Sequence, residues 1–343
     1  MKRHRMLVLM NPGELDSQPE PALARAVFFA REMNATLDLF VSDHAPFLPP
    51  PLGGKGNSAG ASSGADLKAT QARMAAIAES LIRQEQLTVA ADVLWCRHPV
   101  EAIMHRVCET RPDMVVKTAR RDSALKRTLL NYTDWHLIRT CPSPLMLVKG
   151  QEHWESRRII ACVDPAHVHS HAETLDDVII ENAQMLAYRL RGELHIFHSI
   201  EILTEPAFRV LHPDSSYADY GRTADEEHRS LVEDLIKRFG IGCQRVHYAV
   251  GRPADTLPEF AHALQASLVV MGAVSKGTLE LLFIGNTAER VLGRRSASSA
   301  DRNRVPAKSM RGGCVLLVVP NPRNDEPPGS ACSPRWLLLL LRT

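Results

Sequence analysis

Short apolar runs punctuate this chain, and each stops abruptly at a polar residue. Near the start, Leu7-Val8-Leu9-Met10 gives way to Asn11 and Pro12; near the middle, Ile160-Ala161-Cys162-Val163 gives way to Asp164 and Pro165. Runs this short, apolar on every position, predict parallel strands buried on both faces that end in loops. An amphipathic helical stretch follows each, at 21–35 and at 174–192. A second strand is predicted after each helix, at 36–42 and at 193–199.

Beyond this point the two halves overlay without a gap. His98-Pro99 falls on Arg252-Pro253, and Met114-Val115-Val116 on Leu268-Val269-Val270. Each copy reads strand, proline-bearing loop, helix, strand, an alternation that demands right-handed crossovers and a parallel sheet covered by helices on both faces. The expectation is an α/β protein of two tandem, doubly wound, Rossmann-like domains, each on a five-stranded parallel sheet. The domains are placed at 1–150 and 157–322, joined by a polar linker at 149–156, with a tail at 323–343 expected to be disordered. Two segments break the repeat. Residues 47–68 are rich in proline, glycine and serine and predict a mobile loop before a helix starting near Ala69. Residues 293–313 carry arginines, serines and glycines with almost no apolar residue, and read as an inserted polar loop, or more sharply as an anion-attracting arm built on Arg294, Arg295, Arg302, Arg304, Lys308 and Arg311.

Composition narrows the function classes. In 343 residues, 41 lysines and arginines meet 39 acidic residues, so no general nucleic-acid-binding surface is expected. The seven cysteines show no C-x-x-C pair, which fits free thiols in a reducing compartment. The first residues lack the long apolar core of a signal peptide, and the leucines at 337–341 are too few to span a bilayer. A cytoplasmic protein without a membrane segment is expected.

Candidate chemistry concentrates in the second copy. A strand over 268–271 runs into Gly272, and Gly285-Asn286-Thr287 opens a helix near Ala288. Glycine lets a backbone approach phosphates closely, and free amides at a helix start suit an anion. The same glycines also serve as ordinary turn residues, and no G-K-[ST] of a P-loop is present. His167, His169 and His171 form H-x-H-x-H, readable as zinc ligands or as a solvent-exposed loop. No Ser-His-Asp, Cys-His or paired-carboxylate arrangement stands out, so catalysis beyond slow nucleotide hydrolysis is not expected.

The segment from Gly272 to Thr287 resembles the nucleotide-binding loop of the universal stress proteins, G-x-x-G, nine residues, then G-[ST]. Gly272 and Gly285 match the first and third glycines, Ser275 takes the place of the second, and Asn286 stands where serine or threonine is usual. The stretch 133–149 resembles the end of a first domain in tandem members of the family. The resemblance implies an adenine nucleotide such as ATP, with magnesium, held by Gly272, Ser275, Gly285, Asn286 and Thr287, with Asp164 touching the nucleoside; Asp164 reads equally as a turn cap beside Pro165. In the first copy Asn11, Thr118, Arg121, Asn131 and Tyr132 stand at the matching places, and no orthodox site is expected there. The resemblance further implies a stress-response protein in which nucleotide modulates the binding of unidentified protein partners, or a tandem interaction module that has lost its nucleotide. It also implies an internal pseudo-dimer paired through final strands, leaving open whether that unit forms a homodimer.

Overall fold

A computed structural model describes residues 4–15, 20–44, 58–96, 98–119, 130–149, 156–166, 172–273 and 315–320. The chain forms two compact units, one holding Met1–Gln151 and the other Glu152–Asn324.

The first unit is built on strands β1 (Arg5–Met10), β2 (Thr36–His44), β3 (Val89–Cys96), β4 (Met114–Thr118) and β5 (Leu145–Val148). Their order is β3-β2-β1-β4-β5, and every neighbouring pair is parallel. Four helices connect them: α1 (Pro21–Met33), α2 (Ser58–Glu85), α3 (Pro99–Thr110) and α4 (Tyr132–Thr140). Proline opens α1 and α3, where its missing N–H costs nothing. Both helices end on a left-handed residue, Asn34 and Arg111, whose N–H returns to the last turn. Phe29 on α1 and Val107 on α3 are buried, as are Leu7, Leu39, Val116 and Leu147 of the strands. One expectation needs correction here. Helix α2 begins at Ser58, well before Ala69, because after Pro51 the segment holds no proline and its alanines sustain the helix.

The second unit repeats the plan with β6 (Arg158–Cys162), β7 (Glu193–Ile200), β8 (Val246–Val250), β9 (Leu268–Ala273) and β10 (Val315–Pro320). The order β10-β9-β6-β7-β8 is again parallel throughout. Helices α5 (Ala172–Arg189), α6 (Glu205–Leu211), α7 (Tyr217–Arg238) and α8 (Pro253–Ala263) connect the strands. The core of this unit takes Ile160, Ile180, Leu186, Ile196, Val270 and Leu317. Each unit is therefore a five-stranded, doubly wound parallel sheet, which directs attention to the carboxyl ends of the strands. No helix among the described residues is long and apolar enough to cross a membrane.

Candidate functional site

In the second unit, β6 ends at Cys162, Val163 is buried, and Asp164 emerges exposed at the carboxyl edge of the sheet. The Asp164 backbone N–H donates to Asp176 Oδ1 on α5, 3.0 Å away. Asp176 itself is only 4% exposed, and its second oxygen, Oδ2, is buried with no hydrogen-bond partner. Burial pushes the Asp176 carboxyl up to about 7; the Asp164 N–H bond opposes that rise, while the carboxylates of Asp164 and Asp177 add to it. At this edge a buried carboxyl that holds its proton more tightly than usual, Asp176, lies beneath an exposed one, Asp164.

Gly272 lies within β9, beside the same helix. A Cβ built there would stand 2.7 Å from Leu175 Cδ2 and 3.1 Å from Ile179 Cδ1. The absence of a side chain is thus required for α5 to close on the sheet, a packing role that the sequence pattern did not distinguish from phosphate approach. Ser275, Gly285, Asn286 and Thr287 lie outside the described residues, as do His167, His169 and His171. Asp164 and Gly272 are the two predicted site residues that the description reaches, and α5 links them through Asp176 and Leu175.

Two imidazoles that sequence reasoning passed over lie at the same edge. His198 on β7 is 1% exposed, with Nδ1 2.9 Å from the Val163 carbonyl oxygen and Nε2 2.7 Å from Nδ1 of His228 on α7. A carbonyl only accepts, so His198 carries its proton on Nδ1 and, when neutral, receives the His228 N–H at Nε2. Burial lowers the His198 pKa; the bond to Val163 and the charge of Asp164 partly offset this. The Tyr248 ring meets His198 edge-on, and the Arg229 guanidinium lies 4.2 Å over the Tyr248 ring. The signal was present as His198 in a strand and His228 in a helix, but thirty residues of chain separate them. Among the described residues, no group of three or more His, Cys, Asp or Glu is placed to hold a metal ion.

The first unit closes the matching edge from within. Asn11 N–H donates to Glu20 Oε2 at 3.3 Å, the counterpart of the Asp164–Asp176 contact. Here the second carboxylate oxygen is also satisfied: Thr118 donates to Glu20 Oε1 at 3.2 Å and accepts from Ala22 N–H at 3.1 Å. Thr118 stands where the second unit has Gly272. Asn131, matching Gly285, caps α4 in a reciprocal box with Asp134, and Asp134 is fully buried against Lys117. The polar groups at this edge are spent on one another.

The chain matches the Universal stress protein family over residues 2–149 and 155–297. It is 30% identical over 201 residues to universal stress protein E of Escherichia coli K12, an alignment spanning 58% of this chain and 63% of that protein's length. Against universal stress protein E of Salmonella typhi it is 26% identical over 303 residues, covering 84% of this chain and 90% of the relative. Among solved structures, a functionally unknown protein from Pseudomonas aeruginosa PAO1 superposes with a TM-score of 0.63 at 21% identity, over 93% of each chain. A universal stress protein from Archaeoglobus fulgidus gives 0.61 at 16% identity, over 94% of this chain and all of the other. These structural likenesses bear on the fold, and the sequence matches carry the assignment: the chain belongs to the Universal stress protein family.

Proposed function

We propose that this is a cytoplasmic stress-response protein whose second domain binds an adenine nucleotide, with magnesium, at the carboxyl edge of β6 and β9, and that the ligand modulates docking of a protein partner. The observation that carries the reading is the contrast between the two copies. In the first, Glu20 is sealed by Asn11 and Thr118. In the second, Asp164 is exposed, Asp176 Oδ2 lacks a partner, and Gly272 stands where Thr118 supplies the sealing hydroxyl in the first. An exposed carboxylate beside a sheet's carboxyl edge suits the hydroxyls of a ribose. Gly272, Ser275, Gly285, Asn286 and Thr287 would hold the phosphates, as the family pattern implies.

Calorimetric titration of the whole chain with ATP and magnesium tests this. Micromolar binding, lost in Gly285→Trp and weakened about tenfold in Asp164→Ala, is the expected result. Absence of binding by ATP, ADP and AMP alike would sink it.

A second reading, a docking module without nucleotide, is favoured by the surface of α6, where Val210 is 81% and Leu211 63% exposed. The same titration separates the two.

A further inference from the structure

The opposite edge of the second domain, at the amino ends of its strands, holds a cavity of about 480 Å³. Arg157, Arg158, Arg191 and Arg245 line it together with Gln265, and Glu193 is the one carboxylate among its lining residues. Four guanidinium groups around a single carboxylate leave a strongly positive hollow, and such clustering costs stability unless a counter-charge enters.

Among the described residues, internal pairing does not account for the cluster. Arg157 Nη1 donates to the Leu190 carbonyl at the end of α5, and Arg158 Nη1 to the Leu264 carbonyl at the end of α8. These bonds pin two guanidinium groups while leaving most of their five donors uncommitted to those carbonyls. Arg158 Nε lies 3.9 Å from Glu193, a loose pairing. Arg191 and Arg245 are exposed and form no ion pair among the described residues.

The duplicated fold supplies an internal control. Strand register places Arg5 where the second copy has Arg158, since Arg5 pairs with Thr36 as Arg158 pairs with Glu193. Carried along each strand, the same register sets His4 against Arg157, Asn34 against Arg191, and Ala90 against Arg245. The first copy thus has a single arginine at these four positions, with the Asp113 carboxylate accepting the Arg5 backbone N–H at 2.7 Å and lying 3.8 Å from His4. Neither the fold nor the packing of the strand starts demands the arginines.

We infer that this arginine-lined cavity is a second ligand site, separate from the proposed nucleotide edge, which takes a small free anion bearing phosphoryl groups. The planar forks of Arg191 and Arg245 would offer paired donors to tetrahedral oxygens, beside Arg157 and Arg158 held by the Leu190 and Leu264 carbonyls. The hollow is open to solvent and of a size that suits a small molecule.

Inorganic pyrophosphate is the probe, titrated calorimetrically into the whole chain at low ionic strength. The comparison uses Arg191→Gln/Arg245→Gln, both exposed positions; glutamine already occupies the left-handed backbone of Arg191 elsewhere in this chain, at Gln86 and Gln265, so the fold is retained. Saturable binding that weakens at least about tenfold in the double variant, declines with added salt and is unchanged in Gly285→Trp is expected. The inference is overturned if pyrophosphate does not bind, or binds the double variant as well as the parent. It is equally overturned if binding vanishes in Gly285→Trp, which assigns the anion to the phosphate positions of the opposite edge. Sedimentation with phosphatidic-acid vesicles in the absence of pyrophosphate binding would overturn it in favour of a membrane surface.

Discussion

Asp176 shows how one buried carboxyl can set both stability and local chemistry. Its folded pKa is pushed from 3.8 to about 7, so between those values the folded chain holds a proton that the unfolded chain has released. Stability from this group is complete below about pH 4, falls as pH rises to 7, and is flat above. Asp176→Asn keeps an oxygen for the Asp164 N–H and removes the buried charge. Its urea midpoint is expected to equal that of the parent near pH 4 and to exceed it at pH 8, by on the order of 2–4 kcal/mol in unfolding free energy. A variant less stable than the parent at pH 8 would mean that Asp176 is ionised and paired there. Glu20 in the first domain occupies the corresponding place with both oxygens bonded, whereas Asp176 keeps one oxygen without a partner.

The contact between α5 and β9 makes the next scale concrete. Leu175 and Ile179 of α5 press onto Gly272, and Leu175 is itself buried. Gly272→Ala is expected to cost about 1–3 kcal/mol in urea unfolding even without any ligand, because the helix must lift. A cost near zero would return Gly272 to a purely ligand-facing role. The elements that bring these residues together were mostly readable from the chain. Buried parallel strands such as Val115–Val116 and Leu316–Val319 announce themselves by unbroken apolar runs, whereas their order within each unit's sheet was not legible from the chain. The start of α2 and the α6–α7 pair were harder, since polar, exposed helices carry little periodic signal. Arrangements across elements were not readable at all. The His198–His228 bond joins a strand to a helix, and the four arginines come from three separate strand or turn starts. Asp164 was legible as a strand-end residue, whereas its partner Asp176 looked like any acidic position on an amphipathic helix.

For the whole molecule, the two domains should differ in their response to acid. Burial lowers the pKa of His195, His198 and His247, all in the second domain. A histidine held neutral in the fold contributes stability that is present above about pH 6.5 and is lost as pH falls through its lowered folded value. Asp176 acts in the opposite sense over an overlapping range, but it lies on α5, whereas the three imidazoles lie within β7 and β8. Hydrogen exchange followed by mass spectrometry is therefore expected to show β7 and β8 losing protection before β1 and β2 as the buffer is taken from neutral to pH 5. Simultaneous loss, or loss first in β1, would contradict that assignment of acid lability.

The sealing of Glu20 by Asn11 and Thr118 also has a consequence for dose response. A duplicated chain with two open edges could couple one occupancy to the next and answer a metabolite steeply. With the first edge closed by its own side chains, nucleotide at the second would bind one per chain, and each chain would fill along a simple hyperbola. Such a protein reports a ligand in proportion to its concentration, as a gauge, and does not trip at a threshold.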